Sequence, residues 1–392
     1  MRELQAITET YKQIAHSEQR VALATVVKVS GSTYRRPGAR MLITQDGYTV
    51  GTISGGCLEQ DVVIRSQQVI ATGNTAIVKY DSTSDDDIIW GLGLGCNGVV
   101  HILIECIELK HELNPLVFMA HCLNQQQIGV LATVFATEGQ ANLIGNHLML
   151  RPNYAVCSDI ENADLLQMVL ADARVACLDR QSTSKSYSVA GSVIEAFFNV
   201  IQPPVPLVIF GAGHDVSPIV QFAKALGWYV TVVDPRCSEA SLARFETADC
   251  VLPVRLENMH EKVALNCQTM ALVMTHNYLY DSKLLQLLLP SPVRYVGVLG
   301  PKHRTDRLLQ ELWAEGTVCS EAQLERLYRP VGLDIGGETS EEIALAIVSE
   351  IQAVLANRSS GFLRNRQAPI HDRVEPVPQP DTVRIDGMLM NV

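Results

Sequence analysis

The C-terminal half of the chain alternates short apolar runs with segments whose apolar residues recur every three or four positions. Such runs predict strands, and such periodic segments predict helices. Strands that alternate with helices form a parallel sheet joined by right-handed crossovers. The expected strands are 207–210, 229–233, 250–253, 270–275 and 295–299, and the expected helices are 215–226, 280–289, 303–314 and 340–356. The pattern therefore predicts a Rossmann-like parallel-sheet domain over 204–358.

The N-terminal part has a different pattern, in which several apolar strands follow one another with few helices between them. Residues 1–110 predict an α+β domain, and residues 111–203 predict an α/β middle segment that packs with it. No internal repeat is evident, and the middle segment carries no chemical motif. The expected helices are 3–16, 58–71, 115–124 and 162–171, and the expected strands are 20–30, 40–44, 48–53, 75–80, 99–107, 129–136 and 143–150. The fold class is therefore α/β, with an N-terminal α+β domain, a C-terminal Rossmann-like domain and a loosely ordered tail over 359–392.

Charge and cysteine usage narrow the class of protein. The net charge of −11 argues against nucleic acid or an anionic membrane as the main partner, because phosphate groups require clustered Lys and Arg. No apolar run reaches the ~20 residues of a membrane-spanning helix. The chain begins with a polar helical pattern rather than a signal peptide, and its ten cysteines include no C-x-x-C pair. We therefore expect a cytoplasmic protein with reduced thiols.

A glycine turn, Gly211-x-Gly213, joins the first strand of the Rossmann-like domain to its first helix. In dinucleotide-binding domains this turn brings the backbone close to a phosphate at the helix N-terminus. Asp234 follows about 20 residues later, where an acid bonds a ribose hydroxyl. The match is incomplete, because Val216 occupies the third glycine position and His214 lies inside the turn. The turn therefore favours either an NAD(P)-dependent oxidoreductase or a Rossmann fold without a bound dinucleotide, and Arg236 could accept a phosphate instead.

Further polar side chains follow other strands of the same predicted sheet. Ligands of parallel sheets bind beyond the carboxyl ends of the strands. Thr275 and His276 end one strand, and Lys302 and Arg304 open the helix that follows another. A lysine and an arginine at a helix start could clamp a phosphate or a carboxylate. These side chains are each common in purely structural roles, but their convergence on one edge favours a binding site.

Two glycine-flanked cysteines lie in the N-terminal part. Gly55 and Gly56 precede Cys57 at a predicted helix N-terminus, where a thiolate is favoured, and Glu59 follows. An ionised sulfur suits a nucleophile or a ligand for a soft metal. Gly95 precedes Cys96 in a second glycine-rich loop, whose backbone N–H groups could bind an anion. The alternatives are buried structural cysteines, or a redox protein in which Cys57 and Cys96 form a pair.

Together these motifs resemble the XdhC/CoxI family. The matching motifs are Gly31-Ser32-x-Tyr34-Arg35-Arg36-Pro37-Gly38-Ala39, Gly51-Thr52-Ile53-Ser54-Gly55-Gly56-Cys57-Leu58-Glu59, Gly93-Leu94-Gly95-Cys96, Phe210-Gly211-Ala212-Gly213-His214, Val233-Asp234-Pro235-Arg236, Thr275-His276 with Asp281, Gly297-x-Leu299-Gly300 with Arg304, and Pro330-Val331-Gly332-Leu333-Asp334-Ile335-Gly336. The resemblance covers most of the chain except the middle segment and the tail. Asn97 departs from the pattern, because the family often has glycine there.

The resemblance implies a maturation factor without turnover of its own. It would bind the molybdenum cofactor, Mo-molybdopterin, through Cys57, hold it while a cysteine desulfurase supplies a sulfido ligand, and deliver it to an apo molybdenum hydroxylase of the xanthine dehydrogenase type. The glycine turn at Gly211 would then hold a phosphate of the cofactor, or a nucleotide. A homodimer is also expected.

Overall fold

The computed structural model describes residues 1–15, 19–82, 98–108, 111, 113–137, 141–151, 153, 155–367 and 370. Gly95 and Cys96, two of the candidate site residues, lie outside the described residues. None of the helices in the described ranges is long and apolar enough to cross a membrane.

The N-terminal two hundred residues contain two antiparallel sheets of five strands each. The elements of the first sheet and its helices are α1 (Arg2–Ile14), β1 (Val21–Gly31), β2 (Arg40–Thr44), β3 (Thr49–Gly51), α2 (Glu59–Thr72), β4 (Ala76–Asp81) and β5 (Gly98–Ile107). Those of the second are α3 (Pro115–Asn124), β6 (Gly129–Thr137), β7 (His147–Leu150), β8 (Val156–Ser158), α4 (Ala163–Asp179), β9 (Thr183–Val189) and β10 (Ser192–Ile201). The strand orders are β3-β2-β1-β5-β4 and β8-β7-β6-β10-β9, so the two groups of elements have the same topology. We call them the first copy and the second copy.

The strand registers show which residues correspond in the two copies. Thr25 pairs with Arg40 in the first sheet, as Thr133 pairs with His147 in the second. Tyr80 pairs with Val100, as Tyr187 pairs with Ile194. The segments 40–80 and 147–187 therefore correspond without insertion or deletion. The sequence Leu-Ala-Thr-Val occurs at 23–26 and again at 131–134, at corresponding positions of β1 and β6.

The two copies pack with their sheets face to face. Each first strand has one extra residue, Val27 in β1 and Phe135 in β6, where the register shifts by a bulge. These residues meet Leu103 and Phe197 in a cluster that both copies share. On the outer faces, α2 covers the first sheet and α4 covers the second. The result is a layered arrangement of helix, sheet, sheet and helix.

The C-terminal domain is the parallel α/β domain that the alternating pattern predicts. Its elements are β11 (Pro206–Phe210), α5 (Val216–Ala225), β12 (Tyr229–Val233), α6 (Glu239–Arg244), β13 (Cys250–Leu252), α7 (Met259–Lys262), β14 (Met270–Val273), α8 (Tyr278–Leu288), β15 (Tyr295–Val298), α9 (Lys302–Ala314), α10 (Glu321–Leu324), β16 (Leu327–Tyr328) and α11 (Ser340–Leu355). The strand order is β13-β12-β11-β14-β15-β16, and all pairs are parallel. This order confirms the Rossmann-like fold class, with a reversal of strand order between β11 and β14.

Two differences from the sequence expectations have physical causes. The helix expected to end at residue 171 continues to Asp179, because Ala173 and Ala176 are buried against the second sheet. Strand β16 has two residues, Leu327 and Tyr328, which is too short for an apolar pattern to reveal.

In the N-terminal part, α1 contacts the Rossmann-like domain, since Nε2 of Gln5 donates to the carbonyl of Gly227 at 3.1 Å.

Candidate functional site

The candidate cysteine lies in a turn between β3 and α2, residues 52–59, which we call the Cys57 turn. Gly56 has a φ of +112°, a backbone conformation that L residues with side chains rarely adopt. Helix α2 therefore begins only at Glu59, and Leu58 at its N-cap offers no side-chain cap. The side chain of Cys57 is exposed. The glycine pair thus presents a thiol to solvent where a helix turn would otherwise form.

The carboxylate of Glu59 organises this turn from beneath. It accepts hydrogen bonds from Oγ1 of Thr52 at 2.9 Å, from the backbone N–H of Ser54 at 2.8 Å and from the N–H of Leu58 at 3.2 Å. The hydroxyl of Ser54 donates to it as well. Burial would raise the pKa of Glu59, but the hydrogen bonds from Ser54 and Thr52 hold that pKa below its usual value. Glu59 is therefore a fixed anion that orders the backbone around the thiol.

Ser54 connects this carboxylate to the thiol. Its Oγ accepts hydrogen bonds from the N–H groups of Gly56 and Leu58, both at 3.2 Å, and lies 3.6 Å from Sγ of Cys57. The Ser54 side chain is buried, whereas Cys57 is exposed. The thiol consequently lies next to a hydrogen-bonded turn and is accessible to a ligand from solvent.

A small cleft opens beside the thiol. Tyr34, Ser54, Cys57, Leu58 and Tyr80 are among the residues that line it. The ring of Tyr34 lies over the backbone of Gly55, because a Cβ placed on that glycine would be 3.6 Å from the ring. A Cβ at position 55 would therefore be in ordinary van der Waals contact with the tyrosine that borders the cleft.

The second group of candidate residues lies at the edge of the Rossmann-like domain where β11 and β14 end. Gly211 has a φ of +128°, and a Cβ placed on it would lie 2.3 Å from the carbonyl oxygen of Met274. Glycine is therefore required at this position for β11 and β14 to approach so closely. Val216, at the third glycine position of the fingerprint, is fully buried in the core beneath α5. Gly213 lies beside Asp215, whose Oδ1 would be 2.3 Å from an added Cβ.

Asp234 is bonded by the protein itself. Its Oδ1 accepts from the N–H of Arg236 at 2.8 Å and from Nε at 3.0 Å. Its Oδ2 accepts from Nη2 of Arg236 at 2.8 Å and from the N–H of Ala212 at 3.2 Å. Burial would raise the pKa of Asp234, but the bonds from Arg236 lower it below its usual value. Both oxygens that would bind a ribose hydroxyl thus already accept bonds from this chain, and Arg236 is held on them.

The remaining candidates at this edge form two further pairs. Nε2 of His276 lies 2.8 Å from Oδ2 of Asp215, and His276 has a φ of +55°. Thr275 donates to Oδ1 of the buried Asp281 at 2.5 Å. Nη2 of Arg304 donates to the other oxygen of Asp281 at 2.6 Å. Arg304 is therefore paired rather than free to clamp a ligand.

His214 and Lys302 are exposed at the same edge. The structure thus brings the Rossmann-like candidates together along one edge and the cysteine candidates together in the Cys57 turn. Within the described residues, no hydrogen bond or ion pair joins the two groups.

Sequence reasoning missed several partners of the candidate residues. Asp215 faces His276 across 61 positions of sequence, so no local spacing could pair them. Arg244 donates to the carbonyl of Ala212 at 3.0 Å and fixes the glycine turn from α6, a helix that the pattern did not predict. Ser54 precedes the glycine pair directly, and its position next to Glu59 in the turn becomes evident only in three dimensions. The described part of the chain has no group of three or more His, Cys, Asp or Glu side chains that could hold a metal ion.

Fold and site together define a protein with a Rossmann-like domain and a duplicated antiparallel N-terminal part, in which Cys57 is exposed in a glycine turn. The chain belongs to the XdhC and CoxI family. The family model of that name matches residues 14–81, and the XdhC Rossmann domain matches residues 207–351.

Individual relatives cover nearly the whole chain. A probable xanthine dehydrogenase subunit of Bacillus subtilis is 31% identical over 86% of this chain and 94% of the relative. The crystal structure of a xanthine dehydrogenase from Bacillus halodurans has a TM-score of 0.73 and 29% identity, over 90% of this chain and 96% of that one. The molybdenum cofactor insertion chaperone PaoD of Escherichia coli is 22% identical over 85% of this chain and 82% of the relative.

Proposed function

We propose that this protein is a molybdenum cofactor chaperone, which holds the cofactor for sulfuration and inserts it into an apo molybdenum hydroxylase of the xanthine dehydrogenase type. The observation that carries the proposal is the exposed Cys57 thiol on a turn fixed by Ser54 and Glu59. Membership of the XdhC and CoxI family and the similarity to a cofactor insertion chaperone support it.

The chemistry of the Cys57 turn suits a carrier. A thiolate is a good ligand for a soft metal, and an exposed position lets a bulky cofactor approach. The described residues offer no cluster of three metal ligands around it. A single protein ligand binds a metal reversibly, whereas a closed set of ligands holds it. The cargo could therefore be passed on to the client enzyme.

The alternative function, an NAD(P)-dependent oxidoreductase, has less support. Both oxygens of Asp234 accept bonds from Arg236 or Ala212, so a ribose hydroxyl would have to compete with the ion pair between the buried Asp234 and the exposed Arg236. Arg304 is bound to Asp281 and not presented to a substrate. A nucleotide at the Gly211 turn stays a prediction, and titration with NADH, read by fluorescence, tests it.

The proposal assigns three protein partners in the cytoplasm. A cysteine desulfurase would supply sulfur while Cys57 holds the cofactor, the apo hydroxylase would receive it, and a second copy of the chain would form a homodimer. Light scattering after gel filtration measures the oligomeric state. Binding of the desulfurase and the apo hydroxylase is measured with the purified proteins by calorimetry.

Cofactor retention by cysteine variants tests the proposed role of the thiol. The protein is purified anaerobically from cells that make the cofactor, and molybdenum and oxidised pterin are measured for wild type and Cys57→Ala. We expect at least about a tenfold loss of cofactor, because a metal–thiolate contact of more than ~1.4 kcal/mol is removed. Cys267→Ala is the matched control, since Cys267 is an exposed thiol of the Rossmann-like domain. Equal cofactor in wild type and Cys57→Ala would show that Cys57 does not bind it.

A further inference from the structure

A second, larger pocket lies next to the Cys57 cleft. Its volume is about 400 Å³, and it opens between α1, the connection from β1 to β2 and the end of β10. Tyr34 and Arg35 line both this pocket and the Cys57 cleft, so the two are neighbours. Three arginines, Arg35, Arg36 and Arg40, belong to its lining. The pocket is therefore rich in positive charge in a chain whose net charge is −11.

The three arginines differ in how their charge is balanced. Arg35 forms a two-pronged ion pair with Glu3, one bond of which is 2.9 Å long. Arg36 is exposed, and no ion pair or hydrogen bond of its side chain occurs within the described part of the chain. Arg40 is only 6% exposed, and a buried cation is costly unless an anion faces it. Within the described residues, Arg36 and Arg40 are thus the arginines of the pocket that form no ion pair.

The hydrogen bonds of Arg40 go to neutral acceptors. Its Nη1 donates to the carbonyl of Gly38 at 3.1 Å, and its Nη2 donates to Oδ1 of Asn199 at 3.0 Å. Its Nε is buried, and no side chain or backbone group of the described residues accepts a hydrogen bond from it. Burial lowers the pKa of Arg40 to about 10, which the nearby Glu105 opposes, so the side chain is still a cation at neutral pH. The carboxylate of Glu105, however, is bonded to His147.

At the position that corresponds to Arg40, the second copy has a side chain that is bonded to a carboxylate. His147 corresponds to Arg40, and Glu105 of β5 corresponds to Asn199 of β10. Nε2 of His147 lies 2.9 Å from Oε1 of Glu105, with Thr133 at the other ring nitrogen. The imidazole of the second copy thus faces a carboxylate, whereas the guanidinium of the first copy faces an amide. The pocket lies beside Arg40, the member of this pair of positions whose side chain faces the amide.

We propose that this pocket is an anion site for a phosphate monoester, which Arg36 and Arg40 recognise and which supplies the negative charge that the carboxylate of Glu105 supplies in the second copy. Arginine is well suited to this ligand, because its planar donors match phosphate oxygens. This inference rests on the proposed function for its occupant. In the carrier, the pocket would hold the phosphate of the cofactor while Cys57 binds its metal from the adjoining cleft.

Titration with inorganic phosphate tests the anion site without the cofactor. Cofactor-free protein is titrated by calorimetry and by thermal unfolding, with chloride at equal ionic strength as the blank. We expect phosphate to raise the unfolding temperature of wild type, because a ligand stabilises the state that binds it. Asn199→Asp places a carboxylate against Arg40, as Glu105 does for His147, and should weaken phosphate binding at least about tenfold. Arg36→Gln, on the surface, should also weaken it.

An arginine outside the pocket provides the matched control. Arg307→Gln removes an exposed arginine of α9 that pairs with Glu311, and should leave phosphate binding unchanged. An equal response to phosphate in wild type, Asn199→Asp and Arg36→Gln would overturn the proposal, and so would a response to phosphate no larger than that to chloride.

A second arm separates the occupant from the site. Protein loaded with cofactor should lose its response to phosphate if the cofactor phosphate fills the pocket, and an undiminished response assigns the pocket to free phosphate instead and overturns the assignment of its occupant. Failure of the proposed function is read independently: Cys57→Ala that keeps its cofactor would reject the role of the thiol, while the phosphate titration of Asn199→Asp still decides the pocket.

Discussion

The two copies in the front part share strand order, register and buried positions, yet only the first has an exposed cysteine turn. Ser54–Leu58 of the first corresponds to Glu161–Leu165 of the second, and both segments end in a buried leucine. In the second copy, Oδ1 of Asn162 accepts from the N–H of Leu165 at 2.9 Å, and α4 begins at Ala163. In the first copy, Gly55 and Gly56 stand where Asn162 and Ala163 cap and begin the helix. Helix α2 thus begins three residues later than α4 in the correspondence, and the exposed thiol lies in the segment where α4 has its first turn.

The connection between the last two strands is also longer in the first copy than in the second. In the first copy β4 ends at Asp81 and β5 begins at Gly98, whereas β9 and β10 are joined by the two residues Ala190 and Gly191. The buried polar contacts also differ, since Arg40 faces an amide and His147 faces a carboxylate. Variants of corresponding residues test how far the two copies are equivalent.

The largest expected effect is on stability, from removing the carboxylate between the copies. Glu105→Ala removes the buried carboxylate that is bonded to His147 and lies near Arg40, and should lower the free energy of unfolding by about 3–5 kcal/mol. Asn199→Ala removes one hydrogen bond to Arg40 and should cost about 1.5–3 kcal/mol. Urea denaturation measures both. Equal losses would mean that the two polar contacts between the copies are equivalent after all.

Converting the Cys57 turn into its counterpart should remove cofactor binding. Gly55→Asn with Gly56→Ala gives the first copy the cap and the first helical residue of α4. Alanine at position 56 also disfavours the φ of +112° that the turn now has. We expect α2 to start earlier, the cofactor retained to fall about tenfold or more, and circular dichroism to show unchanged or greater helicity. Asn162→Gly with Ala163→Gly in the second copy is the control, and should leave cofactor retention unchanged. Retention by the converted turn would contradict its assigned role.

His147, which is bonded to Glu105, should make the stability of the protein depend on pH. Burial by itself would lower the pKa of His147, but Glu105 raises it above the usual value of 6.5. Because the folded-state pKa is the higher one, this contribution is complete below about pH 6.5 and is lost as pH rises through the folded-state value. The effect should be smaller than that of Glu105→Ala, because the hydrogen bond survives. Unfolding of wild type and His147→Gln is compared across this range, and parallel pH profiles would rule out His147 as the source.

Local patterns were sufficient for the Rossmann-like domain and insufficient for the duplication. An apolar run such as 229–233 predicts a strand from its own residues, and the structure has that strand with the same bounds. The correspondence of the two copies depends on register, and its clearest trace in sequence is the four-residue stretch Leu-Ala-Thr-Val. Pairs such as His276 with Asp215 depend on contacts between distant segments. The role of Gly55 and Gly56 was recognised, because glycine at a strand–helix junction has a local cause.

The smallest expected effect tests the outer faces of the two copies. Oη of Tyr80 donates to Asp61 of α2 at 2.6 Å, and Oη of the corresponding Tyr187 donates to Asp172 of α4 at 2.7 Å. Burial and then the aspartate raise the pKa of both phenols, so both hydroxyls are donors at neutral pH. Tyr80→Phe and Tyr187→Phe should each lower the free energy of unfolding by about 1 kcal/mol, because each loses one hydrogen bond to a partly exposed carboxylate. Tyr80 also lines the Cys57 cleft. Unequal losses of stability in the two variants would therefore show that the two hydrogen bonds do not contribute equally to the shared scaffold.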